Sequence, residues 1–158
     1  RRVLFRSEIN MPQSLSKNYI HLTFSTKYRK DSIRKEDLPE MFSYISGILK
    51  NIDCPSIIVG GITNHIHVLC VLNKNIALTK MVEEIKKSSS KWIKGKGIYY
   101  QWFAWQEGYG AFSVSQSKVD VVTRYIGRQE EHHKKISFED ELKIFLKEYG
   151  VEYNEQYL

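Results

Sequence analysis

Apolar positions along the chain recur with two periods, and the changes of period mark the elements. Tyr19 to Thr26 alternates and is rich in β-branched and aromatic residues, which predicts a first strand. From Glu36 to Asn51, Leu38, Met41, Phe42, Ile45, Ile48 and Leu49 recur at helical spacing, and Cys54-Pro55 closes that segment. Ser56 to Gly61 and His65 to Leu72 read as two strands of an antiparallel hairpin, joined through Gly60, Gly61 and Asn64. Ala77 to Lys94 shows a sparse stripe of Met81, Ile85 and Trp92 among lysines, a second helix ending at Gly95 and Gly97. Ala111 to Ser115 predicts a fourth strand. Val119 to about His132 predicts a third helix, capped by Ser115 or Ser117. A last helix from Phe138 to Glu148 has Leu142, Phe145 and Leu146 as its apolar face, with Gly150 beyond its end.

The order is βαββαβ followed by helices. This predicts an α+β fold, a ferredoxin-like or RRM-like antiparallel sheet with two helices on one face and the other face left available, plus two further C-terminal helices. The 158 residues suit one domain, and there is no internal repeat or low-complexity segment. No apolar run approaches the roughly 20 residues of a membrane span, and no signal-peptide pattern precedes Met11, so a soluble protein of the cytoplasm is expected. Cys54 and Cys70 both sit among apolar neighbours as free thiols, which fits a reducing compartment.

Charge sharpens the division of the chain. The total is 24 Lys+Arg against 18 Asp+Glu, or +6. Residues 1–10 read as a non-native leader before a plausible initiator at Met11; they hold three Arg and one Glu. Residues 136–158 form an acidic helical extension with two Lys against six acids. The body, residues 11–135, therefore carries 19 basic and 11 acidic residues, or +8, concentrated at Lys27 to Lys35 and Lys80 to Lys96. Such clusters are either solvated faces or contacts to a polyanion.

His65-Ile66-His67 lies on the predicted third strand, where residues i and i+2 share a face. The two imidazoles project together and can chelate one divalent metal, given a third donor from elsewhere; the alternative is a pair of surface histidines. Parity sends Ile66, Val68, Cys70 and Leu72 to the opposite face, which removes Cys70 as an easy third ligand. On the third helix, Tyr125 and Gln129 stand one turn apart on one face. They could supply a nucleophile and a neutral ligand, or could pack against a core.

Asn64-His65-Ile66-His67-Val68-Leu69 and Val122-Thr123-Arg124-Tyr125-Ile126-Gly127-Arg128-Gln129, in that order and spacing, resemble the single-tyrosine HUH transposases of the insertion-sequence 200/605 type. Lys27-Tyr28-Arg29-Lys30 after the first strand, and Phe112-Ser113-Val114-Ser115 before the tyrosine helix, match as well, so that the likeness covers Lys17 to His133. The resemblance implies that His65, His67 and Gln129 bind a divalent metal, Mg2+ or Mn2+, and that Tyr125 attacks DNA. It implies cleavage and rejoining of single-stranded DNA at hairpin-bearing element ends through a 5′-phosphotyrosine intermediate, in a nucleoid-associated homodimer whose tyrosine helix serves the partner subunit's histidines. Some family patterns have Asn where this chain has Arg128. The chemistry is coherent: a phenol with a pKa near 10 needs activation, a metal can polarise the phosphate, and the phosphotyrosine conserves the bond energy, in keeping with the absence of a Walker-type loop.

Further candidates for DNA contact are Lys27, Arg29, Lys30, Lys86, Lys87, Lys91, Lys94, Arg124 and Arg128. Trp102, Phe103, Trp105, Tyr109 and Phe112 could stack on unpaired bases or belong to a core. His132 and His133, seven and eight residues after Tyr125, are expected in solvent, with a role as substitute ligand as the alternative, and His21 reads as an ordinary strand residue. Two other readings remain open at this point: a ferredoxin-like nucleic-acid-binding module without catalysis, and a domesticated nickase that processes hairpins.

Overall fold

Four strands pair in the order β2-β3-β1-β4, all antiparallel, in a computed structural model that describes residues 13–158. The predicted leader and Met11 lie outside the described residues. The elements are β1 (Asn18–Ser25), α1 (Leu38–Asn51), β2 (Ser56–Ile62), β3 (His65–Leu72), α2 (Leu78–Lys94), β4 (Gly110–Val114), α3 (Val119–Gly127), α4 (Gln129–His132) and α5 (Phe138–Glu148). The strand order is that of the predicted ferredoxin-like sheet.

Parity within the strands divides the core into two unequal parts. On one face Leu22 and Phe24 of β1 and Ile66, Val68 and Cys70 of β3 meet Met41, Ile45 and Leu49 of α1 and Met81, Ile85 and Ile93 of α2. Each such side chain removed from water contributes about 1.5–3 kcal/mol. Tyr44 and Trp92 stack at 4.8 Å where the two helices meet. Pro39 stands in the first turn of α1, where its missing N–H would have had no helical partner.

The opposite face is covered rather than left open. Leu69 of β3, Val114 of β4 and Ile126 of α3 form a second cluster with Ile58 and Val122 packed against it. Gly60 of β2 lies directly under α3: a Cβ there would stand 2.7 Å from the Ile126 carbonyl oxygen. The absence of a side chain is what lets α3 seat so closely. Helix α5 covers the other half of this face, with Phe145 stacked on Phe112 at 5.4 Å. Its start is capped by Ser137, whose hydroxyl accepts the Asp140 N–H. The expected open face is therefore a buried one, because α3 and α5 each carry an apolar stripe that needs a partner.

One predicted element is divided. The expected continuous helix from Val119 to His132 breaks at Arg128, with φ −109° and ψ 24°, into α3 and the single turn α4. The break leaves Tyr125 and Gln129 near the same strand pair.

Candidate active site

β3 and β1 build the floor of the site. Ser25 pairs with His65, Thr23 with His67, and His21 with Leu69, so a polar row crosses two adjacent strands on the α3/α5 side. His65, His67 and His21 are all buried there. His21, expected to be an ordinary strand residue, instead has Nε2 2.8 Å from His67 Nδ1. Register placed it two pairs along from the Thr23–His67 pair, on the same face of the sheet and beneath the same helices.

From above, α3 brings Tyr125 against the His67 ring, at a centroid distance of 5.7 Å. Gln129, at the start of α4, is buried, and its amide N–H donates to the Tyr125 carbonyl at 3.4 Å. That bond turns Gln129 Oε1 toward His65 Nε2, 3.1 Å away, and His133 Nε2, 2.9 Å away. His133, expected in solvent, is thus drawn into the site, with its ring 4.3 Å from that of His65. His132 keeps a third of its side chain exposed.

The residue missed from the sequence is Glu141. It is 3% exposed and reaches from α5 into the centre of the imidazoles. Oε1 lies 2.9 Å from His67 Nε2, and Oε2 lies 3.2 Å from His133 Nε2 and 3.0 Å from His132 Nε2. The Tyr125 hydroxyl donates to the same carboxylate. A sequence signal existed: Phe138, Glu141 and Phe145 fall at i, i+3 and i+7, so Glu141 interrupts an apolar stripe with a carboxylate.

The electrostatics follow from burial. Burial first, then the neighbouring His67, lower the His21 pKa from 6.5 to about 3. Burial, His67 and His133 likewise lower His65 to about 3, against the opposing pull of Gln129 and Glu141. Burial alone would raise Glu141, but bonds with His133, His67 and Tyr125 outweigh it and hold the carboxyl well below the usual carboxylate range. Tyr125 is pushed above the ordinary phenol value by burial and by that carboxylate. It rests as a neutral phenol.

A divalent cation fits this donor set. The Nδ1–H of His65 faces Asn64 Oδ1 at 2.8 Å, and that of His133 faces the Ile136 carbonyl at 2.7 Å. With Nδ1–H spent on those partners, each Nε2 meets Gln129 Oε1 favourably only by carrying a second proton or by sharing a bound cation with it. Acceptors facing acceptors in a buried pocket call for a positive charge between them, and a second partner on Nδ1 is the arrangement that orients metal-binding imidazoles. Ligand atoms of His65, His67, His133 and Glu141 all lie within 4.8 Å of one another.

The other candidates separate. Arg124 and Arg128 line an open pocket of about 450 Å³ beside Tyr125, together with Val121, Glu131, His132 and Lys135. Lys87, Lys91 and Lys94 are exposed, but on α2, which packs on the sheet face away from Tyr125. Lys86 is committed to structure: its ammonium donates to the carbonyls of Gln106 and Gly108 at 2.8 and 2.6 Å. Arg29 is paired with Glu139 at 3.2 Å, while Lys27 and Lys30 remain exposed around Tyr28. Of the aromatics, Phe103, Trp105 and Phe112 are buried and only Trp102 and Tyr109 are exposed. Cys70 is in the α1/α2 core beside Met81, as parity required. Within one chain Tyr125, the histidines, Gln129 and Glu141 come together.

Comparison with known proteins agrees with this architecture. A structure of a protein of Deinococcus radiodurans R1, assigned as a transposase, aligns with a TM-score of 0.59 at 18% identity over 76% of this chain and 96% of its own. A REP-associated tyrosine transposase, solved bound to a REP hairpin, aligns with a TM-score of 0.58 at 14% identity over 80% of this chain and 75% of its own. No curated protein matches the chain significantly. Among the described residues no helix is long and apolar enough to cross a membrane. The family model described as "Transposase IS200 like" matches residues 14–129, from just before β1 through Gln129, and the chain therefore belongs to the IS200-like transposase family.

Proposed function

We propose that this transposase cleaves and rejoins single-stranded DNA at hairpin-bearing ends, with Tyr125 as nucleophile and a divalent metal held by His65, His67 and Gln129. The observation that carries the reading is the meeting of the Tyr125 hydroxyl with the buried histidine cluster at the edge of a pocket lined by Arg124 and Arg128. The DNA-bound state of the REP-associated relative supports a hairpin as the substrate form.

The residues divide the work as follows. Arg124 and Arg128 bind the phosphates flanking the scissile one by charge-assisted hydrogen bonds. A divalent ion, when bound, polarises the scissile phosphate and offsets the negative charge that develops on it. The Tyr125 oxygen attacks phosphorus, the bond to the 3′-oxygen breaks, and that oxygen leaves to become a 3′-hydroxyl while the 5′-phosphate stays on the tyrosine. Glu141 orients the hydroxyl by accepting its hydrogen bond; the phenolic proton passes to water as the bond to phosphorus forms, and the departing 3′-oxygen takes a proton from water. Rejoining is the reverse displacement by another 3′-hydroxyl and consumes no nucleotide. The convergence of tyrosine, histidines and Gln129 within one chain supports cleavage in cis.

The test is incubation of the chain with labelled single-stranded hairpins and Mn2+, followed by denaturing electrophoresis. A covalent protein–DNA adduct is expected from wild type and none from Tyr125→Phe. No adduct from either across a broad hairpin library would return the protein to the class of non-catalytic binding modules.

A further inference from the structure

The histidine pair and Gln129 do not exhaust the donors that converge on the site. His133 turns its Nε2 inward because its Nδ1–H is taken by the Ile136 carbonyl at 2.7 Å, and Glu141 places Oε1 2.9 Å from His67 Nε2 and 3.9 Å from His65 Nε2. Its other oxygen, Oε2, faces His133 and Tyr125. We propose that His133 and Glu141 are metal ligands of this chain, so that the site is a three-imidazole, one-carboxylate centre with the Gln129 carbonyl beside it. This rests on the metal-dependent reading above and adds ligands from beyond the matched residues 14–129.

The chemical consequence is a change of preferred metal. Mg2+ favours an oxygen shell and gives up water reluctantly, whereas three neutral imidazoles and one carboxylate suit borderline transition ions, above all Zn2+, with Mn2+ weaker. Each imidazole has the outer partner that such ligation uses: Asn64 for His65, His21 for His67 and Ile136 for His133. All four ligand side chains are 4% exposed or less. Glu141 then joins metal and nucleophile, with Oε1 on the metal side and Oε2 on the Tyr125 hydroxyl.

The test is calorimetric titration of the chelator-stripped full chain with ZnCl2, MnCl2 and MgCl2, without DNA. One Zn2+ per chain is expected, bound roughly a thousandfold more tightly than Mg2+. Glu141→Gln and His133→Ala should each weaken Zn2+ by about 10–100-fold or more, with circular dichroism confirming that each variant is folded. X-ray absorption of the wild-type zinc complex gives an independent count that needs no variant, with three imidazoles expected. Two imidazoles, or wild-type affinity in both folded variants, overturns the proposal. If His65→Ala and His67→Ala abolish binding in that case, the metal-dependent reading itself stands. If they leave Zn2+ affinity unchanged too, both fall.

Discussion

Gly60→Ala tests whether the catalytic geometry depends on how closely α3 sits on the sheet. The new Cβ would stand 2.7 Å from the Ile126 carbonyl oxygen and 2.8 Å from Ile126 Cγ2, where ordinary contact begins near 3.4 Å. One of the contacts is backbone, so the helix itself must retreat, by roughly 0.5–0.7 Å, and overpacking of this kind costs about 1–3 kcal/mol. In a chain of this length that lowers Tm by about 2–12 °C. Tyr125 immediately precedes Ile126 and Gln129 follows it by three, so both retreat from His65 and His67. Misplacement approaching 1 Å can cost up to about a hundredfold in rate. Adduct formation, measured well below Tm, should therefore fall at least tenfold, more than the small unfolded fraction explains. Gly47→Ala is the control: its Cβ meets nothing within 4 Å on α1, and the same change there should stabilise by about 0.5–1 kcal/mol and leave cleavage unaltered. A Gly60→Ala protein with wild-type Tm and wild-type adduct yield would refute the reasoning.

Acid should destabilise the metal-free protein. His21 and His65 have folded pKa values of about 3 against an ordinary 6.5, so the unfolded chain binds the extra protons; their contribution is complete above pH 6.5 and is lost as pH falls toward 3. Each should cost about 2 kcal/mol by pH 5 in urea unfolding, and a flat profile from pH 7 to 5 would contradict the burial argument. Arg124→Gln and Arg128→Gln should each reduce the salt slope of DNA binding by about 1, read from binding isotherms across salt concentrations. Lys86→Met should instead leave that slope unchanged and lower stability by about 1–3 kcal/mol, since its bonds go to Gln106 and Gly108. Cys54 and Cys70 are fully buried, and burial pushes the Cys70 thiol up to about 12, so neither should react with a thiol reagent at pH 8 until the chain unfolds.

Much of the framework is local and could be read from spacing. The period-2 run of β3 put His65 and His67 on one face and Cys70 on the other, and the structure has Cys70 against Met81 beneath α2. The helical period of α1 identified Met41, Ile45 and Leu49, all fully buried. Phe138–Glu148 was delimited by its own stripe and by Gly150. These features depend on neighbours within a few residues, which a sequence displays directly.

Where the helices settle is another matter. Nothing near His21 says that His67 will lie 2.8 Å away, 46 positions along the chain; strand register decides it. Nothing near Glu141 says that a carboxylate in an acidic segment will be buried against His67, 74 positions earlier, or that His133 will turn inward beside it. By itself the sequence determined the strand faces, the helix periods and the family, because each is encoded in short-range pattern. Only the tertiary structure decided that the second face of the sheet is closed, that one chain assembles tyrosine and histidines together, and that Glu141 stands among them. A buried charge is tolerated only where distant partners compensate its desolvation, and those partners exist only once the chain has folded.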